Sequence, residues 1–312
     1  MRDFKIDFNK TFKFVLIAYA VIFLAGAIIA VVFGVNLDIN FKGGTKISYS
    51  YTGEIDEKDF KEVVDEKLQK SFNLTQSTSL AGDTQTYDIA LVGKDALSAE
   101  DQEALSTALN EKFKDNEVKL YNSNSVSASM ASTFFIKSMV AVLITAVLVV
   151  IYVGFRFRRI GGVSAALTAL VALVFDILIT FFVCVFFRLQ IDLNFVAVVL
   201  TMLGYSLNDT IVIYDRIREN ERLNPDMEIG VLVNMSVNRV LIRNIVTSLT
   251  TFLAVMTIVI VSEVYGLTTL RTFAIPMAFG LISGGISSVF ISGPLWVIWK
   301  RSRAKKSAKA KA

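Results

Sequence analysis

Three ionisable residues lie in segments that are otherwise apolar enough to cross a membrane. Asp209 follows Asn208 in one such segment, Asp176 lies near the centre of another, and Arg243 lies near the start of a third. A charged side chain at the centre of a membrane helix costs about 2.5–3.5 kcal/mol even on insertion-based scales. Their positions therefore predict a proton or ion relay.

Asp209 and Arg243 are expected at similar depth on consecutive spans, in the half of the membrane towards the cytoplasm. An ion pair between them would lower the cost of burying both charges, and it could alternate with protonation of Asp209. The alternative for Asp209 is a structural acid that hydrogen-bonds to neighbouring helices. Arg243 is near enough to a helix end to extend to the interface instead. For Asp176, relay and structural roles are weighed evenly.

The composition excludes several kinds of active site. The chain has no histidine, which removes histidine metal sites, the Ser-His-Asp triad and a histidine proton shuttle. The single cysteine, Cys184, excludes an intrachain disulfide. The run Gly43-Gly44-Thr45-Lys46 lacks the spacing of a nucleotide-binding loop. We therefore expect a protein that is not an enzyme and that holds no cofactor and no metal.

Six apolar segments must position these residues. The chain is 54% hydrophobic with a mean hydropathy of +0.56, above the roughly 45–50% of soluble domains. A bilayer core of about 30 Å needs roughly 20 apolar residues in a helix. The segments that qualify are residues 14–33, 134–153, 162–187, 193–214, 241–261 and 273–299. The first resembles a signal peptide, but its apolar run continues to Phe33, so we expect a membrane span.

The charge distribution predicts the topology. Residues 34–132 contain 10 Lys, no Arg and 17 Asp or Glu, a net charge of −7, whereas the whole chain carries +4. Basic residues flank the spans at Arg2, Lys5, Lys10, Lys13, Arg156, Arg158, Arg159, Arg216, Arg218, Arg222, Arg239, Arg243, Lys300, Arg301, Arg303, Lys305, Lys306, Lys309 and Lys311. With six spans, all these segments share the cytoplasmic side with both termini. The positive net charge of the chain thus reflects its membrane topology, and we expect no nucleic-acid partner.

The acidic loop between spans one and two predicts a mixed domain. Residues 40–51 favour a strand with a kink at Gly43-Gly44, residues 56–72 a helix, and residues 84–92 a strand. A second helix over 98–113 and a strand over 117–121 follow. The order β-α-β-α-β is typical of an α+β sandwich of ferredoxin-like type.

The predicted fold is thus a polytopic α-helical membrane protein with six transmembrane helices and a ferredoxin-like outer domain between helices one and two. Its parts are a cytoplasmic N-terminus (1–13), helix one (14–33), the outer domain (34–132), a five-helix bundle (133–299) and a basic cytoplasmic tail (300–312). The tail would contact anionic lipid or serve only as a topology determinant. Small residues in span six (Gly280, Ser283, Gly284, Gly285, Ser287, Ser288) predict close packing within the bundle.

Three sequence blocks resemble the SecF subunit family of the bacterial protein-export machinery. The longest block covers residues 204–220, and its matching positions include Gly204, Tyr205, Asn208, Asp209, Thr210, Asp215, Arg216, Arg218 and Glu219. A second covers residues 238–251 with Asn238, Arg239 and Arg243, and a third covers residues 41–45 with Gly43 and Gly44. The chain departs from the family at Asn40, Phe175, Val240 and Ile242. Phe175 replaces a frequent histidine, which weakens Asp176 as a relay candidate.

The resemblance implies a role in protein export from the bacterial inner membrane. SecF works with SecD in a twelve-span assembly, similar to transporters of the resistance-nodulation-division superfamily, that associates with the SecYEG channel. That assembly uses the proton gradient to draw unfolded preproteins outward late in translocation. By family position, Asp209 is the proton-carrying acid and Arg243 its partner. The alternatives are half of a proton-driven exporter of small molecules or lipids, and a scaffold of the translocon that moves no protons. Whether the coupling ion is H⁺ or Na⁺ stays open.

Overall fold

Six helices of the described chain are long and apolar enough to cross a membrane. The computed structural model describes residues 6–70, 72–78, 85–92 and 97–309. The first five of these helices are α1 (Phe8–Phe33), α5 (Ala128–Arg156), α6 (Gly162–Phe186), α7 (Leu193–Leu223) and α8 (Ile229–Val264), and the sixth runs over Thr268–Ala304. The six predicted spans are thus confirmed. Backbone groups in hydrocarbon have no partner but each other, so such runs fold as helices.

Several helices extend beyond the bilayer. The 36 residues of α8 measure about 54 Å at about 1.5 Å per residue, against a hydrocarbon core of about 30 Å. The bundle therefore has a side that carries the α/β domain, here called the domain side, and an opposite side that carries both described ends, the terminal side. Side-chain oxygens of Asp7, Ser127, Asp192 and Glu228 accept backbone N–H groups at the starts of α1, α5, α7 and α8.

Span six is one continuous helical run, as the sequence predicts for 273–299, but it contains a π-helical turn. It consists of α9 (Thr268–Ser287), a π-helical turn (Ser288–Ser292) and α10 (Gly293–Lys309). A Cβ on Gly280 would lie 2.8 Å from Oγ1 of Thr180, and one on Gly284 would lie 3.1 Å from Cβ of Ser206. The predicted close packing of small residues within the bundle is therefore confirmed, and it brings α9 against α6 and α7.

The domain between α1 and α5 is a four-stranded antiparallel sheet with two longer helices and a one-turn helix before its first strand. The elements are α2 (Ile39–Lys42), β1 (Gly44–Tyr51), α3 (Glu57–Leu68), β2 (Phe72–Thr78), β3 (Gln85–Val92), α4 (Ala99–Lys112) and β4 (Lys119–Val126). The strand order β2-β3-β1-β4 with antiparallel pairs confirms the ferredoxin-like prediction. Tyr49, Tyr51, Phe60, Ile89 and Leu105 lie in its core between sheet and helices.

Four details of the predicted domain are wrong. The strand β2 was missed, because its side chains are mostly polar and it lies at the sheet edge. Residues 39–42 form a helical turn capped by Asp38, so β1 starts only at Gly44. The helix α3 ends at Leu68, where Gln69 takes a left-handed backbone conformation. The last strand lies at 119–126 and not at 117–121. Thr84, Arg2, Lys5 and Lys311 lie outside the described residues.

A short parallel β-bridge joins the bundle to the segment between α1 and α2, here called the domain root. Leu37, just after α1, pairs with Ile191, just before α7. The Ile191 N–H donates to the Asn36 carbonyl at 2.8 Å, and the Asp38 N–H donates to the Ile191 carbonyl at 3.0 Å. Arg188 adds hydrogen bonds to the carbonyls of Phe33 and Gly34. The start of α7 is therefore hydrogen-bonded directly to the segment that attaches the domain.

Burial divides the six spans into two groups. The spans α6, α7 and α9 form the buried centre of the bundle, whereas α1, α5 and α8 keep most of their apolar side chains exposed. A helix that is apolar all round and largely exposed must face lipid or another protein. The centre, where α6, α7 and α9 pack together, is the part of the bundle that holds the two acidic residues.

Candidate proton-relay site

Asp176 is enclosed by hydroxyl groups from two other spans. The residue lies in α6 and is 1% exposed. Its carboxyl oxygens accept hydrogen bonds from Ser206 of α7 at 2.6 Å, from Ser283 of α9 at 2.6 Å and from Ser287 of α9 at 2.9 Å. Hydrogen bonds to a charged acceptor are roughly twice as strong as neutral ones, so three donors offset much of the cost of burying a carboxylate.

Span one closes this cluster. The Tyr19 hydroxyl lies 3.0 Å from the Ser283 hydroxyl oxygen and 3.2 Å from the Ser283 carbonyl oxygen. Phe175 packs edge-on against Tyr19 at a centroid distance of 5.2 Å. Spans three, four and six therefore meet at Asp176, and span one packs against this cluster through Tyr19.

Asp209 lies on the same face of α7 as Ser206, three residues further towards the terminal side. It is 2% exposed, and its Oδ2 accepts a hydrogen bond from Ser248 of α8 at 3.2 Å. A Cβ on Gly285 would lie 3.1 Å from the Ser248 hydroxyl, so span six approaches closely here too. The site thus places a second buried carboxyl between spans four and five, with one hydroxyl partner.

Arg243 does not pair with Asp209 in this structure, so the expected ion pair is not formed. No ion pair within 4.0 Å joins the two side chains, both of which are described, and Arg243 is exposed at a cleft on the terminal side. The residue of α8 that contacts Asp209 is Ser248, five positions later. Five positions correspond to about 7.5 Å along the helix and about 140° around it. The backbone of Arg243 therefore lies nearer the terminal side than that of Ser248, on a different face of α8.

Asn208 also lies away from the buried carboxyls. Its side chain is exposed on the outer surface of α7, next to Gly204 on the same helix face. Tyr205 donates to the Thr247 carbonyl at 3.2 Å and so links α7 to α8. Thr210 is buried, and its hydroxyl bonds back to the Ser206 carbonyl at 3.4 Å. Of the predicted relay residues, the structure therefore brings Asp176 and Asp209 to the bundle centre and leaves Asn208 and Arg243 at its surface.

The charged end of the 204–220 block forms ion pairs on the terminal side. Asp215 lies 3.1 Å from Arg156 and 2.8 Å from Arg218, and Arg216 lies 2.5 Å from Glu219. These side chains are partly exposed, where isolated ion pairs contribute little to stability. The Arg156–Asp215 pair joins the ends of α5 and α7, the other two pairs lie within α7, and all three lie outside the carboxyl cluster.

The second block holds the terminal ends of α7 and α8 together. Arg239 donates to Oδ1 of Asn220 at 2.8 Å, and Nδ2 of Asn220 donates to the Ser236 hydroxyl at 2.7 Å. The amide of Asn238 bonds both backbone groups of Ile6, at 3.0 and 3.2 Å. These contacts indicate a structural role for Asn238 and Arg239.

The two motif glycines are required by backbone geometry. Gly43 and Gly44 have φ values of +80° and +139°, a region that favours glycine. A Cβ on Gly44 would lie 1.9 Å from the Leu91 carbonyl oxygen. The third block therefore forms the turn that leads from α2 into the sheet.

The hydroxyl donors around the two acids are the residues that the sequence analysis missed. Ser206, Ser248 and Tyr19 were not singled out, and Ser283 and Ser287 were treated only as packing residues. Ser283 and Ser287 are four residues apart in an apolar span, and this spacing was the available signal because it places both hydroxyls on one helix face. Among the described residues no group of three or more His, Cys, Asp or Glu side chains could hold a metal ion.

A second pair of acids lies at the root of the domain, outside the spans. Asp38 and Asp192 each follow a residue of the Leu37–Ile191 bridge, and each caps a helix. Burial raises the pKa of Asp192, and the charge of Asp38 raises it further, against hydrogen bonds from Phe195 and Asn194 that lower it. This pair faces the domain-side clefts between sheet and bundle.

Comparison with known proteins identifies the relatives of this chain. The family described as "Protein export membrane protein SecD/SecF, C-terminal" matches residues 105–302. The protein translocase subunit SecF of Petrotoga mobilis is 33% identical over 98% of this chain and 99% of its own length. The protein translocase subunit SecDF of Bacillus subtilis is 31% identical over 97% of this chain, but only 39% of its own length is covered.

Two solved structures of SecDF share the fold. SecDF of Thermus thermophilus, described as a translocon-associated membrane protein, matches 95% of this chain with a TM-score of 0.78 and 27% identity. SecDF in a super-membrane-facing form matches 98% with a TM-score of 0.64 and 26% identity. The chain spans about 40% of the length of these SecDF chains.

Proposed function

The chain belongs to the SecD/SecF family of protein-export membrane proteins, and we propose that it is a translocase subunit that uses the proton gradient with SecD to promote late preprotein translocation. Its membership supports an accessory role in protein translocation. The use of protons, the direction of transport and the partners are parts of the proposal.

The observation that carries the proposal is the burial of two carboxyl groups with no cation within ion-pair distance. Asp176 and Asp209 are 1% and 2% exposed. No described lysine or arginine lies within ion-pair distance of either. Burying a carboxylate costs far more than burying a neutral carboxyl, so a change of charge on either acid changes the free energy of the packed bundle. Membrane-embedded acids of this kind are typical of proton relays.

The order of the acidic residues along the bundle supports a path for protons that begins at the domain side. Asp192 caps the domain-side end of α7, and Asp209 lies 17 residues later, about 25 Å along the helix. Ser206, which binds Asp176, lies one turn before Asp209. A proton taken up from the domain side would therefore meet the Asp176 cluster before it reaches Asp209.

Arg243 supplies the second state of the proposed cycle. When Asp209 is ionised, the guanidinium of Arg243 is attracted towards it; when Asp209 binds a proton, Arg243 is released to the cleft, where this structure places it. The two packings of α7 and α8 differ in this contact, and protonation must favour one of them to drive a change. One charge that crosses the membrane gains about 2.3 kcal/mol per 100 mV.

The link between site and domain supports a mechanical output. The helix α7 carries Asp209, and its first turn adjoins the Leu37–Ile191 bridge at the domain root. A shift of α7 would move the bridge, and with it the outer domain, which would grip and release an emerging unfolded preprotein. No bond is made or broken in this scheme, so we propose that the protein is not an enzyme.

The proposed setting is the bacterial inner membrane, with both termini in the cytoplasm. The acidic domain and the basic terminal side support this orientation. The exposed faces of α1, α5 and α8 offer surfaces for SecD, since the SecDF relatives are longer chains that include a region like this one. We further propose contacts with the SecYEG channel, the preprotein and membrane lipids.

The experiment is preprotein export in cells depleted of their own SecF. We expect Asp209→Asn to insert normally and to abolish stimulated export. Asp226→Asn, which removes an exposed carboxylate on the terminal side, is the matched control and should export normally. Normal export by Asp209→Asn would contradict the proposal. Normal export by both Asp209→Asn and Arg243→Ala would favour the scaffold, and substrate-dependent efflux with export intact would favour the exporter.

A further inference from the structure

Eight arginines line one open cleft on the terminal side of the bundle. The cleft has a volume of about 1210 Å³ and lies between the ends of α5 and α7 and the first half of α8. Its arginines are Arg156, Arg158, Arg159, Arg216, Arg218, Arg222, Arg239 and Arg243, and its carboxylates are Asp215, Glu219 and Glu221. Eight cations against three anions leave a net charge of +5 around a single concavity.

Five of these arginines have no carboxylate partner. Asp215 pairs with Arg156 and Arg218, and Glu219 pairs with Arg216. Within the described part of the chain, no ion pair within 4.0 Å involves the remaining five, Arg158, Arg159, Arg222, Arg239 and Arg243. Like charges that share a cleft repel one another and focus a positive potential, so an anion in the cleft would lower the energy of the set.

The cleft lies at the depth of lipid headgroups. About 20 helical residues cross the hydrocarbon core, so α7 leaves it near Val212, which lines the cleft. Phe155, at the end of α5, also lines the cleft and is 74% exposed. Apolar side chains thus form the wall nearest the membrane, and the arginines lie beyond it. A ligand with acyl chains and a phosphate headgroup matches both parts.

We propose that this cleft binds the headgroup of an anionic phospholipid, with the two phosphates of a cardiolipin-type lipid as the best match to its unpaired arginines. Guanidinium groups bind phosphate oxygens through paired hydrogen bonds, and basic pockets between membrane helices on the cytoplasmic side bind such headgroups. The exposed Phe155 favours a lipid over an acidic protein segment or a free phosphate. The inference does not depend on proton coupling.

The test is lipid retention by the full chain, purified alone and with SecD, measured by native mass spectrometry with cardiolipin and phosphatidylethanolamine. The variant is Arg158→Gln/Arg159→Gln/Arg222→Gln. The matched control, Lys10→Gln/Lys13→Gln/Arg303→Gln, removes the same charge from exposed residues on the same side that do not line the cleft. A parallel series adds inorganic diphosphate as competitor.

Wild type and control should retain cardiolipin in preference to phosphatidylethanolamine, with or without SecD. At about one kcal/mol for each basic residue near the surface, the triple variant should retain it roughly 100-fold less well. If that variant does not fold, Arg159→Gln alone should weaken retention about fivefold. Equal retention by wild type and cleft variants would overturn the proposal. So would loss of the lipid on addition of SecD, which indicates a protein segment in the cleft, or displacement by equimolar diphosphate, which indicates a soluble phosphate ligand.

Discussion

Ser287→Ala tests whether the hydroxyl cluster holds a charged Asp176. The Ser287 side chain is fully buried and donates to Asp176 at 2.9 Å. A hydrogen bond to a charged group contributes about 1.5–3 kcal/mol, whereas one between neutral groups contributes about 0.5–1.5 kcal/mol. If Asp176 is ionised at the pH of the assay, Ser287→Ala should therefore lower the free energy of unfolding by about 1.5–3 kcal/mol.

The matched control is Ser292→Ala in the same span. Its hydroxyl is also fully buried but donates only to the Ser288 carbonyl, at 2.6 Å. Removal of that neutral hydrogen bond should cost about 0.5–1.5 kcal/mol. Both substitutions delete one oxygen from a buried serine, so the difference between them isolates the contact with Asp176.

The assay is unfolding of the full chain in mixed micelles, with a double-mutant cycle against Asp176→Asn. Asparagine keeps the shape of the side chain but cannot carry the charge. We expect Ser287→Ala to cost less in the Asp176→Asn background than in the wild type, and Ser292→Ala to cost the same in both. Equal costs for the two serines, or no coupling between Ser287 and Asp176, would refute this account of the cluster.

Two further predictions concern the α/β domain and its attachment. The raised pKa of Asp192 means that the folded protein binds this proton more tightly than the unfolded chain, so stability falls as pH rises above the ordinary aspartate value of about 3.9. Asp192→Asn should therefore become more stable relative to wild type as the pH rises from about 4 to about 7 in a thermal-unfolding series. A difference in stability between variant and wild type that stays constant over this range would contradict the prediction. Gly44→Ala should make the α/β domain of the full chain more sensitive to protease, because the new Cβ would lie 1.9 Å from the Leu91 carbonyl oxygen. Gly53→Ala is the control and should raise the sensitivity less, because the nearest atom to its Cβ is a side-chain nitrogen at 3.2 Å. Equal sensitivity would show that the sheet absorbs the clash.

The spans and the type of the α/β domain were predictable because both depend on local patterns. Twenty apolar residues in succession have no stable alternative to a membrane helix. The faces of α3 show helical spacing, with Phe60, Val63, Val64 and Leu68 buried. By contrast, β2 is recognisable mainly from its pairing with β3, and an edge strand with polar side chains has little pattern of its own.

The site was predictable in its acids but not in its contacts. Asp176 and Asp209 stand out because charge is rare at membrane depth. Their partners depend on how each helix is rotated against its neighbours, and the sequence of a single span does not specify that rotation. The same rotation places Ser248 and not Arg243 beside Asp209. The departure from histidine to phenylalanine at residue 175 predicts a weaker relay role for Asp176, which stays a prediction. The three hydroxyl groups that donate to this acid could not be predicted from that departure.

Export driven by an imposed proton gradient tests the central claim most directly. Wild type, Asp209→Asn and Asp226→Asn would each be reconstituted with SecD and the SecYEG channel in vesicles, and the release of a reporter preprotein would be measured with and without the gradient. We predict that the gradient speeds release with wild type and Asp226→Asn and has no effect with Asp209→Asn. Equal acceleration in all three would contradict the claim that Asp209 couples proton movement to export.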